Sequence, residues 1–377
     1  MLTSLENSKA KSLFIYFMPE KREGDKILEM NINYSYYEVS KTTRGDFMHK
    51  PKVCIIFTGG TISMTVDDTI GAAIPTLSGE QILSMVSNID KLADIEVVNF
   101  CEIPGPHMTF NKLLELKNLI KKTLDRQDIT GVIVTHGTDT LEETAYFLDL
   151  TIRHHKPVVV VGAMRNSSEL GYDGSSNLAA AVCTAISPRA IDKGVLVVLN
   201  NEVNIASEVT KTNTLSLNTF QSPYGPLGII DTNDLIVYRD LAFRQHIDTD
   251  HIERRVDLIK AVLDMDDRFV RLAVDAGAKG IIIEAMGRGN LPLKMLEGVK
   301  YALSKDVVVV IVSRCSSGRV FESYGYEGGG KELSDLGAIM GGEMRGPKAR
   351  IKLMLGLGKT KDLNQIKKLF REESYVL

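Results

Sequence analysis

The sequence predicts an α/β protein of two domains: a larger N-terminal domain on a parallel sheet, its active site at the strand carboxyl ends, and a smaller α/β C-terminal domain. Three observations carry this. Short β-branched runs recur, "VCIIF", "GVIVT", "PVVVVGAM", "GVLVVLN", "GIIIEAM" and "VVVVIVS"; they do not alternate, as expected of strands covered by helices on both faces. Helical patterns fall between them, "TFNKLLELKNLIKKTLD", "TLEETAYFLDLTIRH" and "NLAAAVCTAI", and strand alternating with helix is the signature of a parallel sheet. At 377 residues the chain exceeds the size at which one core usually keeps growing.

In chain order, residues 1–50 read as an N-terminal extension. They are charged, rich in Tyr and Lys, and end at "TTRGDFMHKPK", just before the first strong strand. The segment is either a poorly ordered tail, with Met48 a candidate start, or a hairpin arm built on "KILEMNINYSYYEVS". Residues 51–240 then form the catalytic domain, with four of the apolar runs. The polar stretch within 241–258 reads as a linker, and 259–377 as the C-terminal domain.

A net charge of −3 gives no electrostatic case for nucleic acid. The patch "LFIYFM" is too short for a secretory core and far below the roughly 18 residues of a membrane span, so a cytoplasmic protein without a membrane partner is expected. Cys54, Cys101, Cys183 and Cys315 form no CxxC pair. They are read as buried small hydrophobes, and neither a metal nor a cofactor is expected.

The chemistry-bearing clusters follow strand ends: "TGGTIS", "THGTDT", "MRNSSELGYDG" and "NNEVNIASEVTKTNT". In open parallel sheets that is where ligands bind. "TGGTIS" has neither GxGxxG nor GxxxxGK spacing, which removes a phosphate loop. Gly59 and Gly60 permit close backbone approach, and a threonine hydroxyl stands on each side of the pair. In "HGTDT", Gly137, Thr138 and Asp139 offer backbone amides, a hydroxyl and a carboxylate at a strand-to-helix junction. Thr140, three residues before Glu143, predicts a capping box. A hydroxyl nucleophile needs a base; His136, His154 and His155 are read as structural, leaving Lys211 of "VTKTNT", as a proton-relay group or a plain loop lysine.

From about Val53 to Phe370, "TGGTI", "THGTDTLEETA", "KPVVVVGAMR", "DGSSNL", "GVLVVLN", "VTKTNT" and "YGPLG" follow in order. In this the chain resembles the bacterial-type L-asparaginase and asparaginase-glutaminase family. The resemblance implies hydrolysis of a side-chain amide through an acyl-enzyme on a small amino-acid substrate, and a homotetramer of intimate dimers. It implies Thr61 as nucleophile, assisted by Thr138, Asp139 and Lys211, with Asp139 also holding the substrate's α-amino group. Asn290 of "GRGNLP" resembles a residue lent across the dimer interface to a neighbouring site.

Two places depart from the family pattern. Where the substrate-gripping loop has Ser followed by Gln or Ser, this chain has Gly105 and Pro106; the hydroxyl is lost and Pro106 has no N–H. His107 is a candidate substitute. No Tyr occurs between Met64 and Phe110, and Ala73 stands near the expected lid tyrosine. Two other readings share the fold: an ammonia-supplying subunit of a tRNA-dependent amidotransferase, and an amino-acid sensor without turnover.

Overall fold

The computed structural model describes residues 50–241 and 243–371; the readings of the N-terminal extension fall outside them. The chain opens with β1 (Lys52–Gly59), a hairpin of β2 (Met64–Asp67) and β3 (Ala72–Pro75), the short helix α1 (Gly79–Ser84), and β4 (Asp94–Ile103). It continues through α2 (Phe110–Leu124), β5 (Gly131–Thr135), α3 (Leu141–Thr151), β6 (Val158–Val161), α4 (Gly174–Ile186) and β7 (Val195–Leu199). Short strands follow: β8 (Glu202–Ile205), β9 (Thr210–Lys211), β10 (Phe220–Gln221), β11 (Gly228–Asp231) and β12 (Asp234–Val237). The later part holds β13 (Val256–Lys260), α5 (Arg268–Asp275), β14 (Gly280–Ala285), α6 (Leu293–Ser304) and β15 (Val308–Ser313). It ends with α7 (Gly330–Asp335), β16 (Ile339–Met340), α8 (Gly346–Lys359) and α9 (Leu363–Arg371).

Two sheets organise these elements. The larger has the order β12-β11-β8-β7-β6-β5-β1-β4, parallel from β4 to β7 and antiparallel from β7 to β12. The smaller, β13-β14-β15-β16, is wholly parallel. The described residues between β12 and β13 form neither helix nor strand.

The apolar runs are continuous because both faces are covered. Cys54 and Ile56 of β1 enter one core with Leu116 and Ile120 of α2 and Phe147 of α3. Val53, Ile55 and Phe57 enter the opposite core with Leu178 and Val182 of α4. Neighbouring residues of one strand thus fill separate cores, as a period of two requires.

Helix α8 has two apolar faces. Ile351 and Leu355 pack into the α2/α3 core of the larger sheet, whereas Ala349, Leu353 and Leu357 pack on the smaller sheet. One helix therefore serves both sheets. Lys117 of α2 adds a tie near the β12–β13 segment, its ammonium donating to the Thr249 carbonyl at 3.0 Å and the Asp250 carboxylate at 2.5 Å.

The cysteine reading needs one correction. Cys54 and Cys183 are buried and Cys101 is half-buried, but Cys315 is exposed. It lies just past β15, where the chain has left the covered sheet.

Candidate active site

The site begins with a close approach of three backbones at the ends of β1, β4 and β5. Gly60 has φ 81°, and a Cβ there would overlap the Gly137 backbone. A Cβ on Gly137 would stand 2.5 Å from the Gly105 nitrogen, and one on Gly105 3.0 Å from the Gly137 carbonyl oxygen. All three glycines are buried. Gly60 N–H also donates to the Ile103 carbonyl at 2.9 Å, fixing the turn against β4. Only the missing side chains let these loops converge.

The convergence places Thr61 and Thr138, each one residue past a contacting glycine, on adjacent segments. The two threonines of "TGGTI" have separate fates. Thr58 is buried, its hydroxyl donating to the Thr135 carbonyl at 2.7 Å and its N–H to the Thr135 hydroxyl at 3.3 Å, a latch between β1 and β5. Thr61 is half-buried at the start of a 3-10 turn (Thr61–Ser63), and its hydroxyl meets no described partner. Below that turn, Tyr172 O–H donates to the Ile62 carbonyl at 2.8 Å. Burial raises the Tyr172 phenol, so it stays protonated and keeps donating.

Lys211, at the end of β9, donates to Thr138 Oγ1 at 2.9 Å and to Asp139 Oδ1 at 2.8 Å. The Lys211 side chain is 18% exposed and that of Asp139 62%, so the carboxylate faces the mouth while the ammonium is mostly covered. A half-open ion pair adds little stability; its effect is to orient groups. Having accepted from Lys211, the Thr138 hydroxyl can direct its own proton elsewhere.

His136 has no place in proton transfer. Its Nδ1–H donates to the Gly137 carbonyl at 2.9 Å, and Nε2 accepts from the Thr144 hydroxyl at 2.9 Å. Burial pushes its pKa down to about 4, so the ring is neutral. His154 and His155 stack on each other just before β6, at the amino ends of the parallel strands, opposite the carboxyl ends that carry the site.

The capping-box expectation is contradicted. Thr140 is the N-cap residue of α3, but its side chain caps nothing; its hydroxyl donates to the Gly105 carbonyl at 2.7 Å. A long-range acceptor has outcompeted the local amide. The bond ties the loop after β4 to the loop after β5, a link with no signature in local spacing. Gly105 is buried, whereas Pro106 and His107 are exposed.

The expected lid region forms the β2–β3 hairpin, Ala73 pairing with Val66. It is pinned by Ser168 Oγ, which accepts from Val66 N–H at 3.1 Å, and by Ser167, whose N–H and hydroxyl both donate to the Met64 carbonyl. Asn290 lies apart, in the turn after β14, its side-chain Oδ1 accepting from Gly330 N–H at 3.3 Å. Within one chain, no described contact joins it to the Thr61–Thr138–Lys211 group.

Residues 52–243 match the family described as "Asparaginase, N-terminal", and residues 255–370 match "Glutaminase/Asparaginase C-terminal domain". The chain belongs to the asparaginase family. Among relatives of this asparaginase-family chain, an L-asparaginase of Bacillus licheniformis is 38% identical across 82% of this chain and 97% of the relative. L-asparaginase 2 of Escherichia coli is 35% identical, covering 85% and 93%. A glutaminase-asparaginase of Pseudomonas fluorescens is 30% identical, covering 85% and 90%. Among the described residues, no helix is long and apolar enough to cross a membrane.

Proposed function

We propose that this asparaginase-family enzyme hydrolyses L-asparagine to L-aspartate and ammonia through a threonine acyl-enzyme, with glutamine a further substrate. One observation carries the reading: Lys211 holds Thr138 and Asp139 by hydrogen bonds beside the glycine contact that brings up Thr61. Thr61 Oγ attacks the side-chain amide carbon. As Thr138 Oγ1 takes the Thr61 proton, Lys211, reacting in its amine form, takes the Thr138 proton and hands it to the departing nitrogen; water then cleaves the ester. The N–H groups of Thr61 and Thr138 donate to no described backbone or side chain, which suits them to a developing oxyanion, each such donor being worth about 3 to 4 kcal/mol. Asp139, open to solvent, takes the α-ammonium group. Gly60, Gly137 and Gly105 form the floor, and Pro106, lacking an N–H, weakens the α-carboxylate grip.

The glutamine arm draws support from the relative named glutaminase-asparaginase. The assembly is a homotetramer of intimate dimers acting in the cytoplasm, with Asn290 lent to the partner's site. The division into a catalytic domain at 51–240, a linker at 241–258 and a smaller domain at 259–377 is supported by the matched segments.

The experiment measures ammonia release from L-asparagine, L-glutamine and their D-isomers. The wild type should turn over L-asparagine and form aspartyl hydroxamate when hydroxylamine is present. Thr61→Ala should abolish both with the circular-dichroism spectrum unchanged. Retained turnover in that variant would remove Thr61 from the chemistry.

A further inference from the structure

Lys348 lies on α8, outside every group named in the proposed reaction, and is 1% exposed. Its ammonium donates to the Ala206 carbonyl at 2.8 Å and to the Val209 carbonyl, and stands 5.8 Å from the centre of the Tyr146 ring. Val209 immediately precedes β9, the two-residue strand that ends in Lys211. Tyr146 belongs to α3, the helix that begins two residues after Asp139. One cation therefore touches both segments whose meeting creates the Lys211–Thr138–Asp139 hydrogen bonds.

A lysine is an expensive choice here. Burying an ammonium costs free energy unless its donors are used, and the surrounding α8 positions Ala349, Ile351 and Leu353 are apolar. Packing alone would be served by leucine or methionine. What only the lysine supplies is two donors at the tip of a long stem, reaching the tight turn in which Glu208 and Val209 N–H both donate to Ile205. Burial pushes the pKa of the Lys348 ammonium down to about 8, Arg345 adding to the cost, while Glu142, Glu208 and Asp149 favour the charge.

We propose that Lys348 is a positioning residue for the hydrolysis, reaching from the helix shared by the two sheets to fix the 206–209 turn against α3 and so hold Lys211 on Thr138 and Asp139. The proposal rests on the relay role given above to Lys211.

The test uses the full-length enzyme with Lys348→Met, Lys211→Met and the double variant, reading kcat, KM, thermal midpoint and hydrogen exchange across residues 205–212. Lys348→Met should lower kcat by about 10- to 100-fold with KM within about threefold, because Asp139, on the loop after β5, keeps its place for the substrate while Lys211 loses its own. Exchange should rise in 205–212 and not in the smaller sheet. The double variant should be no slower than Lys211→Met alone, since residues acting through one group do not add. Lys348→Gln, which keeps a donor for one carbonyl, should fall between wild type and Lys348→Met, and it decides the matter if the methionine variant does not fold. Wild-type kcat in a Lys348 variant, or losses that multiply with Lys211→Met, would overturn the positioning role. If Lys211→Met itself keeps turnover, the relay assignment fails first, and Lys348 loses the group through which it acts.

Discussion

His136 shows how a residue beside reactive groups can be kept out of the reaction. Both ring nitrogens are occupied and its pKa is pushed to about 4 from an ordinary 6.5, the largest cause being burial. The folded value is depressed, so the unfolded chain binds the extra proton; the stabilising contribution is complete above pH 6.5 and is lost as pH falls toward 4. Integrated over that window, it amounts to about 3 kcal/mol. Urea titrations of the wild type should show midpoints falling through this range, and His136→Asn should flatten that slope. A wild-type slope unaltered in the variant would show that other groups set the acid limit. The Thr58 and Thr61 pair makes a related point: the same residue type three positions apart serves once as a latch and once as an open hydroxyl.

At the level of elements, the Thr140–Gly105 bond fixes the distance between the loops after β4 and β5. Thr140→Val should destabilise the protein by about 1 kcal/mol, the usual net worth of one hydrogen bond, and raise KM more than it lowers kcat; Thr140→Ser should restore both. Chemical denaturation and steady-state kinetics check this, and unchanged KM in the valine variant would remove the bond from substrate binding. The same bond explains why the cap was misread: a capping box is a local pattern, whereas its competitor is 35 residues distant. The parallel strands were legible because burial on two faces leaves an unbroken β-branched run. The antiparallel edge, β8, β11 and β12, was not, because strands of four residues with partly exposed faces carry too little pattern. Lys211 was legible as a polar residue past a strand. Lys348 was not, since its surroundings come from residues some 140 positions earlier in the chain.

For the molecule as a whole, the question is whether one chain makes one site. Asn290 stands away from the Thr61 group within its own chain, and the proposed assembly supplies it from the neighbour. Mixing tests this by complementation. Thr61→Ala and Asn290→Ala proteins should each be severely impaired, yet dissociation and joint reassociation should recover activity at about a quarter of all sites, the share in which an intact Thr61 meets an intact partner Asn290 under random two-fold pairing. Ammonia release no higher than the sum of the separate variants would mean that Asn290 serves its own chain or none.

The contact among Gly60, Gly105 and Gly137 also bears on how this scaffold can change over generations. Where backbones meet with no space for a methyl group, every substitution first damages the framework, whatever it would do for a new ligand. Mutational freedom is displaced to the rim, to Pro106 and His107 on one loop and Ala73 on the hairpin, which are exposed or partly exposed. Diversification of substrate should leave its record at those rim positions, around an unchanging floor.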